Sequence, residues 1–151
     1  MGPGAAEPAD ADRAEAVGAA VAEAGAVLVC GGLGGVMEAA CRGAITAGGL
    51  TVGLLPGDDR GAANRWVEVA IPTGLGEARN VLVVRAAEAI IAIGGGWGTL
   101  SEIALALRAG KPVYGLESWT PTPRGRDQPG PIPAETPESA VRAALEAIRA
   151  L

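Results

Sequence analysis

Residues 89–108 read AIIAIGGGWGTLSEIALALR, and this stretch decides the fold. Residues 89–93 are a continuous apolar run, which is typical of a central parallel strand that is buried on both faces. A glycine-rich turn follows directly, and the residues from about Leu100 to Ala109 then have the pattern of a helix. The stretch therefore predicts a strand that enters a helix through a tight turn.

The same alternation continues in both directions along the chain. Further strands are predicted at residues 26–30, 50–55, 66–71 and 113–116. Further helices are predicted at residues 10–24, 36–47, 77–86 and from Pro137, after a Thr136 cap, to the C-terminus. Residues 118–135 are rich in proline, arginine and glycine, which predicts a loop. Strands that alternate with helices predict an α/β class, a doubly wound parallel sheet flanked by helices.

Length and composition favour one globular domain. The chain has 151 residues, and we expect residues 1–9 to be a flexible lead-in and residues 10–151 to form a single domain. Hydrophobic residues make up 49% of the chain, which excludes a disordered protein. No apolar run is long enough to span a membrane, and no export signal is recognisable at the start. We therefore expect a cytoplasmic protein without a membrane partner.

Missing residue types exclude several kinds of chemistry. The chain has no histidine, which removes histidine-based nucleophile systems, histidine general bases and histidine-ligated metals. Cys30 and Cys41 are too few for a zinc site, so we expect no metal and interpret both as small apolar fillers. A net charge of −5 argues against nucleic acid as a partner. Lys111 is the only lysine, and it does not belong to a phosphate-binding P-loop motif.

Two glycine-rich loops follow predicted strands. The residues that they place at the expected ligand site are Gly31, Gly32, Gly34 and Gly35 in the first loop, and Gly95, Gly96, Gly98 and Thr99 in the second. Both loops fall at the carboxyl edge of a parallel sheet, where ligands bind. Glycine lets backbone N–H groups approach a ligand, and a helix start favours an anion. Glycine also simply permits tight turns, but two such loops at one edge favour a phosphate ligand. Neither loop has the full dinucleotide-binding pattern.

Three side chains near these loops have more than one interpretation each. Glu102 lies three residues after Thr99, and that spacing alone favours a capping box over a ligand contact. Arg79 is either a solvated arginine or a cation that binds phosphate or carboxylate. Trp97 lies within a glycine loop. Its ring either packs against the rest of the protein, stacks on a base of the ligand or contacts another subunit.

These motifs resemble a known family. GGGWGTLSE (94–102) is similar to the PGGxGTxxE signature of the LOG family, whose members are often mislabelled as lysine decarboxylases. GGLGGVMEAACRGA (31–44) resembles the first glycine motif of that family, and residues 74–113 resemble its core. The resemblance implies a Rossmann-like nucleotide-binding fold and a homodimer or homotetramer. In LOG enzymes it implies hydrolysis of the N-glycosidic bond of cytokinin or purine riboside 5′-monophosphates.

Site residues transfer from the family by position. Arg79 and Glu102 match its catalytic arginine and glutamate, and residues 95–99 match its phosphate-binding turn. A carboxylate can stabilise the oxocarbenium-like transition state of an N-glycoside and orient water, so this chemistry needs no histidine. Lysine decarboxylation is excluded, because nothing resembles a pyridoxal phosphate site.

Two departures indicate a sister branch. Gly94 replaces the proline of the motif, and Asn80, which we place at the ligand site, replaces the lysine that usually follows the arginine. That branch includes molybdenum cofactor carrier proteins, which resemble nucleotide binders more than hydrolases. We therefore expect binding of a phosphorylated nucleotide-like small molecule without turnover, with the molybdenum cofactor as a candidate cargo and no required cofactor. The alternatives are a nucleoside 5′-monophosphate phosphoribohydrolase, which uses Arg79 and Glu102, and a structural oligomer with vestigial loops.

The resemblance also has a consequence for the sheet. Family members open with a strand that ends in a glycine turn, and residues 1–4 (MGPG) resemble that turn. We therefore expect the first strand of the family fold, which is usually central, to be missing from this sheet.

Overall fold

The structure is a computed structural model that describes residues 1–122 and 128–150. In these ranges the strands are β1 (Leu28–Cys30), β2 (Thr51–Leu55), β3 (Val69–Pro72), β4 (Ile90–Ile93), β5 (Val113–Leu116) and β6 (Ile132–Pro133). The helices are α1 (Pro8–Glu23), α2 (Val36–Thr46), α3 (Asn80–Ala86), α4 (Trp97–Arg108) and α5 (Pro137–Arg149). Every strand pair is parallel, so the predicted α/β class with a parallel sheet and flanking helices is confirmed.

Most predicted elements are present, with shifted boundaries. The third strand begins at Val69 instead of residue 66, because the Thr51 hydroxyl donates to the Trp66 carbonyl and accepts from the Glu68 N–H. These side-chain bonds take the place of ladder bonds at the start of the predicted strand. The short β6 lies in the region predicted as a loop, of which residues 123–127 lie outside the described residues.

Some helices begin at the predicted residue and others do not. Thr136 caps α5 as predicted, and its hydroxyl accepts from the Ser139 N–H at 3.1 Å. The helix predicted at residues 77–86 is instead a 3-10 turn, Gly76–Arg79, followed by α3. Within the predicted lead-in, residues 1–9, α1 begins at Pro8.

The six strands form two separate sheets, in the orders β1-β2-β3 and β4-β5-β6. Leu28 of β1 and Ile90 of β4 donate their N–H groups to the carbonyls of the residues just before β2 and β5, away from the other sheet. Neighbouring residues of a strand point their polar groups in opposite directions, so Val29 and Ile91 face the gap between the sheets. Among the described residues no strand pairs with β1 or β4 across this gap, which agrees with the expected missing strand.

Met1 lies at one end of the gap and forms hydrogen bonds with β4. Its ammonium donates to the Ile91 carbonyl at 2.5 Å, and the Ile93 N–H donates to the Met1 carbonyl at 2.8 Å. This is the bonding pattern of a residue in a parallel strand. The rest of the gap is a mostly apolar cavity of about 430 Å³, and residues from β1, β4 and all five helices line it, including Val21, Val29, Ile91 and Leu145.

Helices α1 and α2 pack backbone against backbone. A methyl group on Gly18 would lie 1.9 Å from the Ala40 carbonyl oxygen, and one on Gly43 would lie 1.9 Å from the Glu15 carbonyl oxygen. Only glycine permits so close an approach. This contact explains how a chain without phenylalanine forms a dense core from small side chains.

No helix in the described part of the chain has both the length and the apolar character needed to cross a membrane.

Filling the gap should stabilise the protein. We expect a variant that carries five extra apolar, β-forming residues before Met1 to gain about 2 kcal/mol in its free energy of unfolding, measured by urea denaturation. The added peptide groups would pair with both strand edges, and the added side chains would fill the cavity. An equally long Gly–Ser extension is the control, because it offers peptide groups without apolar side chains. No gain from the apolar extension would contradict this account of the gap.

Candidate functional site

The second glycine loop opens helix α4 with unpaired donors. Gly96 is the N-cap and has no side chain to cap the helix. The first N–H with an acceptor one turn back is that of Leu100, which donates to the Gly96 carbonyl at 3.1 Å. The three N–H groups before it, from Trp97 to Thr99, have no acceptor within the helix. Together with the helix dipole they form a place for an anion.

The capping box predicted from Thr99 and Glu102 is wrong. Gly96 is extended, with φ −108° and ψ 175°, so α4 begins at Trp97 and Thr99 already lies inside its first turn. Thr99 is 2% exposed, and its hydroxyl is buried without a hydrogen-bond partner. The side chain that the spacing assigns to a cap is therefore free to bind a ligand.

The glycine at position 94, where the family motif has proline, has a local cause. Gly94 has a φ of +60°, a conformation that the ring of proline cannot adopt. A methyl group there would also lie 2.3 Å from a carboxylate oxygen of Asp10, which forms an ion pair with Arg13 at 2.9 Å. The packing of α1 against the loop therefore explains why glycine stands at position 94 instead of proline.

Residues distant in sequence hold the first glycine loop. Asn64 donates its backbone N–H to the Gly32 carbonyl at 2.8 Å and its side-chain amide to the Leu33 carbonyl at 2.8 Å. Pro3 accepts the N–H of Val36, the first residue of α2, at 3.1 Å. Sequence reasoning missed Asn64, because an asparagine in a polar loop gives no signal of a contact some thirty residues away.

Arg79 is buried at the first loop, so it is not a solvated arginine. It is 7% exposed, and a methyl group on Gly31 would lie 2.5 Å from its Nη1. Nη1 donates to the side-chain oxygen of Asn80 at 2.9 Å, while Nε is buried without a partner. The structure thus brings three predicted site residues, Gly31, Arg79 and Asn80, into contact.

Glu102 lies among charged groups at the end of the gap. It is 8% exposed and lines the cavity together with Met1, Cys30 and Gly31. Burial raises the pKa of Glu102 above its ordinary value of 4.5, and the Met1 ammonium and Arg79 oppose that rise. Burial likewise lowers the pKa of the Met1 ammonium below 8.0, against the opposing charges of Glu102 and Cys30. Glu102 forms no ion pair within 4.0 Å in the described ranges.

Two indole rings form the rim of the second loop. Trp97 is 79% exposed, so it is not a core residue, and it stacks on Trp119 with ring centroids 5.6 Å apart. The Trp119 ring N–H donates to the Gly96 carbonyl at 3.3 Å. Sequence reasoning missed Trp119, which follows β5 in a segment predicted as a loop.

The described residues contain no group of three Cys, Asp or Glu side chains placed to hold a metal ion. The site offers hydrogen-bond donors of three kinds: helix N–H groups, a buried guanidinium and a buried hydroxyl.

Fold and site together define a parallel α/β protein with two glycine loops, which follow β1 of one sheet and β4 of the other. Residues 1–141 match the SLOG cluster4 family, and the chain belongs to that family. A protein of Archaeoglobus fulgidus, described as uncharacterized, is 50% identical over 101 residues. The match covers 67% of this chain and 66% of that protein, so it spans just under two thirds of the relative.

Two solved structures are closely similar along their whole length. The molybdenum cofactor binding protein of Rippkaea orientalis is 39% identical with a TM-score of 0.88, over 98% of this chain and 94% of that one. The molybdenum cofactor carrier protein of Chlamydomonas reinhardtii is 34% identical with a TM-score of 0.85, over 100% and 96%. These comparisons confirm the predicted LOG-like family, its sister branch and the Rossmann-like fold.

Glu102 should impose a pH dependence on stability. Its pKa is raised in the folded protein, so the unfolded chain releases its proton first as pH rises from 4.5. The stability that Glu102 contributes is therefore present below pH 4.5 and is lost as pH rises through the folded pKa. We expect urea unfolding of Glu102→Gln to lack this decline.

Glu23→Gln is the matched control, because Glu23 is exposed at the end of α1. Parallel pH profiles for wild type and Glu102→Gln would contradict the burial of a costly carboxylate at this position.

Proposed function

We propose that this protein binds a phosphorylated, nucleotide-like small molecule at its two glycine loops and carries it without turnover. The molybdenum cofactor is the leading candidate for this cargo. It is a phosphate ester of a flat pterin that bears an oxyanionic metal group, so it presents the same chemistry as a nucleotide at its phosphate end.

The observation that carries the proposal is a pair of unsatisfied, nearly buried polar atoms at the site. Thr99 Oγ1 and Arg79 Nε have no partner, although buried polar atoms almost always have one. Both are donors, and a ligand oxygen would supply the missing acceptor. The free N–H groups at the start of α4 add further donors for the same kind of oxygen.

The residues at the rim suit the remainder of such a ligand. The exposed indole of Trp97 offers a flat face beside the anion site, and a pterin or a base could stack there. Gly31, Gly32, Gly34 and Gly35 leave the first loop without side chains, so it can approach a bulky ligand. The similarity to the Rippkaea molybdenum cofactor binding protein and the Chlamydomonas molybdenum cofactor carrier protein supports the cofactor as cargo.

We also propose a homo-oligomer, a dimer or a tetramer. Support comes from large apolar side chains that are more than a third exposed on and near α3, namely Ile71, Leu75, Val81 and Leu82. These four side chains fall within residues 71–82, and exposed apolar patches are typical of protein interfaces.

A phosphoribohydrolase is the second candidate, and the position of Glu102 favours it. A nearly buried carboxylate without an ion-pair partner, at the same edge as Arg79, suits the stabilisation of a cationic sugar centre. The raised pKa of Glu102 and the presence of Asn80 in place of lysine favour the carrier instead.

The Gly98→Val substitution should weaken ligand binding without lowering the stability of the protein. A Cβ at Gly98 meets no atom within 4 Å, so Gly98→Val should fold normally, while its branched side chain covers the N–H donors of α4. We expect binding of the molybdenum cofactor to weaken by about tenfold or more. The measurement is molybdenum retained in anaerobic equilibrium dialysis.

Gly57→Val is the matched control, because Gly57 is an exposed loop glycine that also has no atom near a new Cβ. Equal retention by both variants would remove the second loop from the proposed site.

Incubation with AMP and related monophosphates distinguishes the carrier from the hydrolase. We expect no free base or ribose phosphate from the wild-type protein. If the protein is a hydrolase, wild type releases base, and Glu102→Gln lowers the rate by about 10²–10³ while binding persists. Chromatography of the products measures both, and detectable base would overturn the carrier proposal.

A further inference from the structure

Cys30 and Cys41 meet behind the first glycine loop. Cys30 is the last residue of β1, and Cys41 lies in the second turn of α2, so the loop of residues 31–35 connects them. Their sulfur atoms are 3.5 Å apart, and both side chains are buried. The burial agrees with the interpretation as apolar fillers, but the short sulfur–sulfur distance is a feature that packing does not require.

The sulfur of Cys30 is also part of the hydrogen bonding of the loop. It accepts the N–H of Gly32 at 3.3 Å. Gly32 has a φ of +75°, which favours glycine, so the backbone turns sharply at this point. A change at the Cys30 sulfur therefore acts directly on the conformation of the first loop.

The two thiols differ in acidity. Cys30 and Cys41 share a sulfur–sulfur hydrogen bond, and this contact lowers the pKa of Cys30 to about 7. The Gly32 N–H, the Met1 ammonium and Arg79 lower it as well, while burial opposes them. The same contact and burial raise the pKa of Cys41. Cys30 is thus the more acidic thiol of the pair, and its thiolate is the nucleophile.

A small molecule can approach Cys30 from the gap in the sheet. Cys30 lines the cavity of about 430 Å³ between the two sheets, beside Met1 and Gly31. Hydrogen peroxide is scarcely larger than water and can enter a space of this volume.

We propose that Cys30 and Cys41 are a peroxide-sensitive dithiol whose oxidation to an internal disulfide rearranges the first glycine loop. The site is a modification site, and its substrate class is a small hydroperoxide. The proposal does not depend on the cargo of the protein.

The reaction proceeds in two displacements. The Cys30 thiolate attacks one peroxide oxygen, an S–O bond forms, the O–O bond breaks, and the leaving hydroxide takes a proton to become water. The Cys41 thiol then loses its proton and attacks the Cys30 sulfur, so the S–S bond forms and the S–O bond breaks. The second hydroxide combines with that proton. In total, two thiols lose two electrons, and one peroxide becomes two waters.

Formation of the disulfide changes the contacts behind the loop. Its sulfur atoms must approach to about 2.05 Å, so the present separation of 3.5 Å has to close by about 1.5 Å. This closure moves the sulfur atoms relative to each other, and the Cys30 sulfur becomes a weaker acceptor for the N–H of Gly32 once it is part of a disulfide. The first loop therefore loses one of its hydrogen bonds in the oxidised protein.

Reduced protein exposed to hydrogen peroxide tests the reaction. We expect the intact mass to fall by two hydrogen atoms per chain, both cysteines to resist alkylation after unfolding, and dithiothreitol to reverse both changes. Cys41→Ser should stop at the sulfenic acid on Cys30, which dimedone traps, and Cys30→Ser should not react over the same time. The reaction rate of wild type should rise with pH around a midpoint of about 7, a readout that needs no variant.

Hydrogen exchange at the Gly32 amide reports on the loop. We expect faster exchange in oxidised than in reduced wild type, and no peroxide effect in Cys41→Ser treated with dithiothreitol afterwards. Three results would overturn the proposal: alkylatable thiols after peroxide treatment, a disulfide that links two chains on a non-reducing gel, or unchanged exchange at Gly32 in the oxidised protein.

Discussion

The hydrogen bonds that join Met1 to Ile91 and Ile93 stand where a whole strand would pair in a continuous sheet. Parallel strands are stable only when both edges of a central strand find partners, because their backbone groups are otherwise unsatisfied. Here β1 and β4 face each other across an apolar gap, and the two glycine loops follow these same two strands. The spacing of the loops, and so the geometry of the site, therefore depends on what keeps the two half-sheets in place.

Helix packing supplies much of that support. Helix α1 contacts α2, which follows the first glycine loop, and α5, which packs on β5 in the other half-sheet. The close approach at Gly18 and Gly43 makes α1 and α2 one rigid layer, because no side chain separates their backbones. The small-residue composition of the chain is thus a requirement of the fold: a larger residue at either glycine would push α2, and with it the first loop, away from the site.

The parts of the fold that depend on local pattern could be predicted from the sequence. The apolar run at β4, the loops and the cap at Thr136 carry their signals within a few residues. The site was predicted less completely. The spacing of Thr99 and Glu102 fits a capping box, but it does not reveal that the backbone of Gly96 starts α4 three residues earlier.

Long-range contacts explain the rest of what was missed. Arg79 packs against Gly31, and Asn64 forms hydrogen bonds with the first loop. Both contacts connect segments that are far apart in sequence. Trp119 reaches the second loop from beyond β5. No local pattern encodes such pairings, because each follows from how the two half-sheets and their helices are assembled.

The proposed anion site lies in an acidic protein, so its positive potential has to be concentrated locally. The net charge of −5 works against an anionic ligand at long range, but salt screens such interactions beyond about 10 Å. At short range, the guanidinium of Arg79 is buried, and burial strengthens the interactions of a charge. The hydrogen bond with Cys41 is the main cause of the lowered pKa of Cys30, and Arg79 adds to it. Arg79 also opposes the rise in the pKa of Glu102 that burial causes. One buried arginine therefore links the proposed ligand site to the protonation of Glu102 and to the acidity of the thiol behind the first loop.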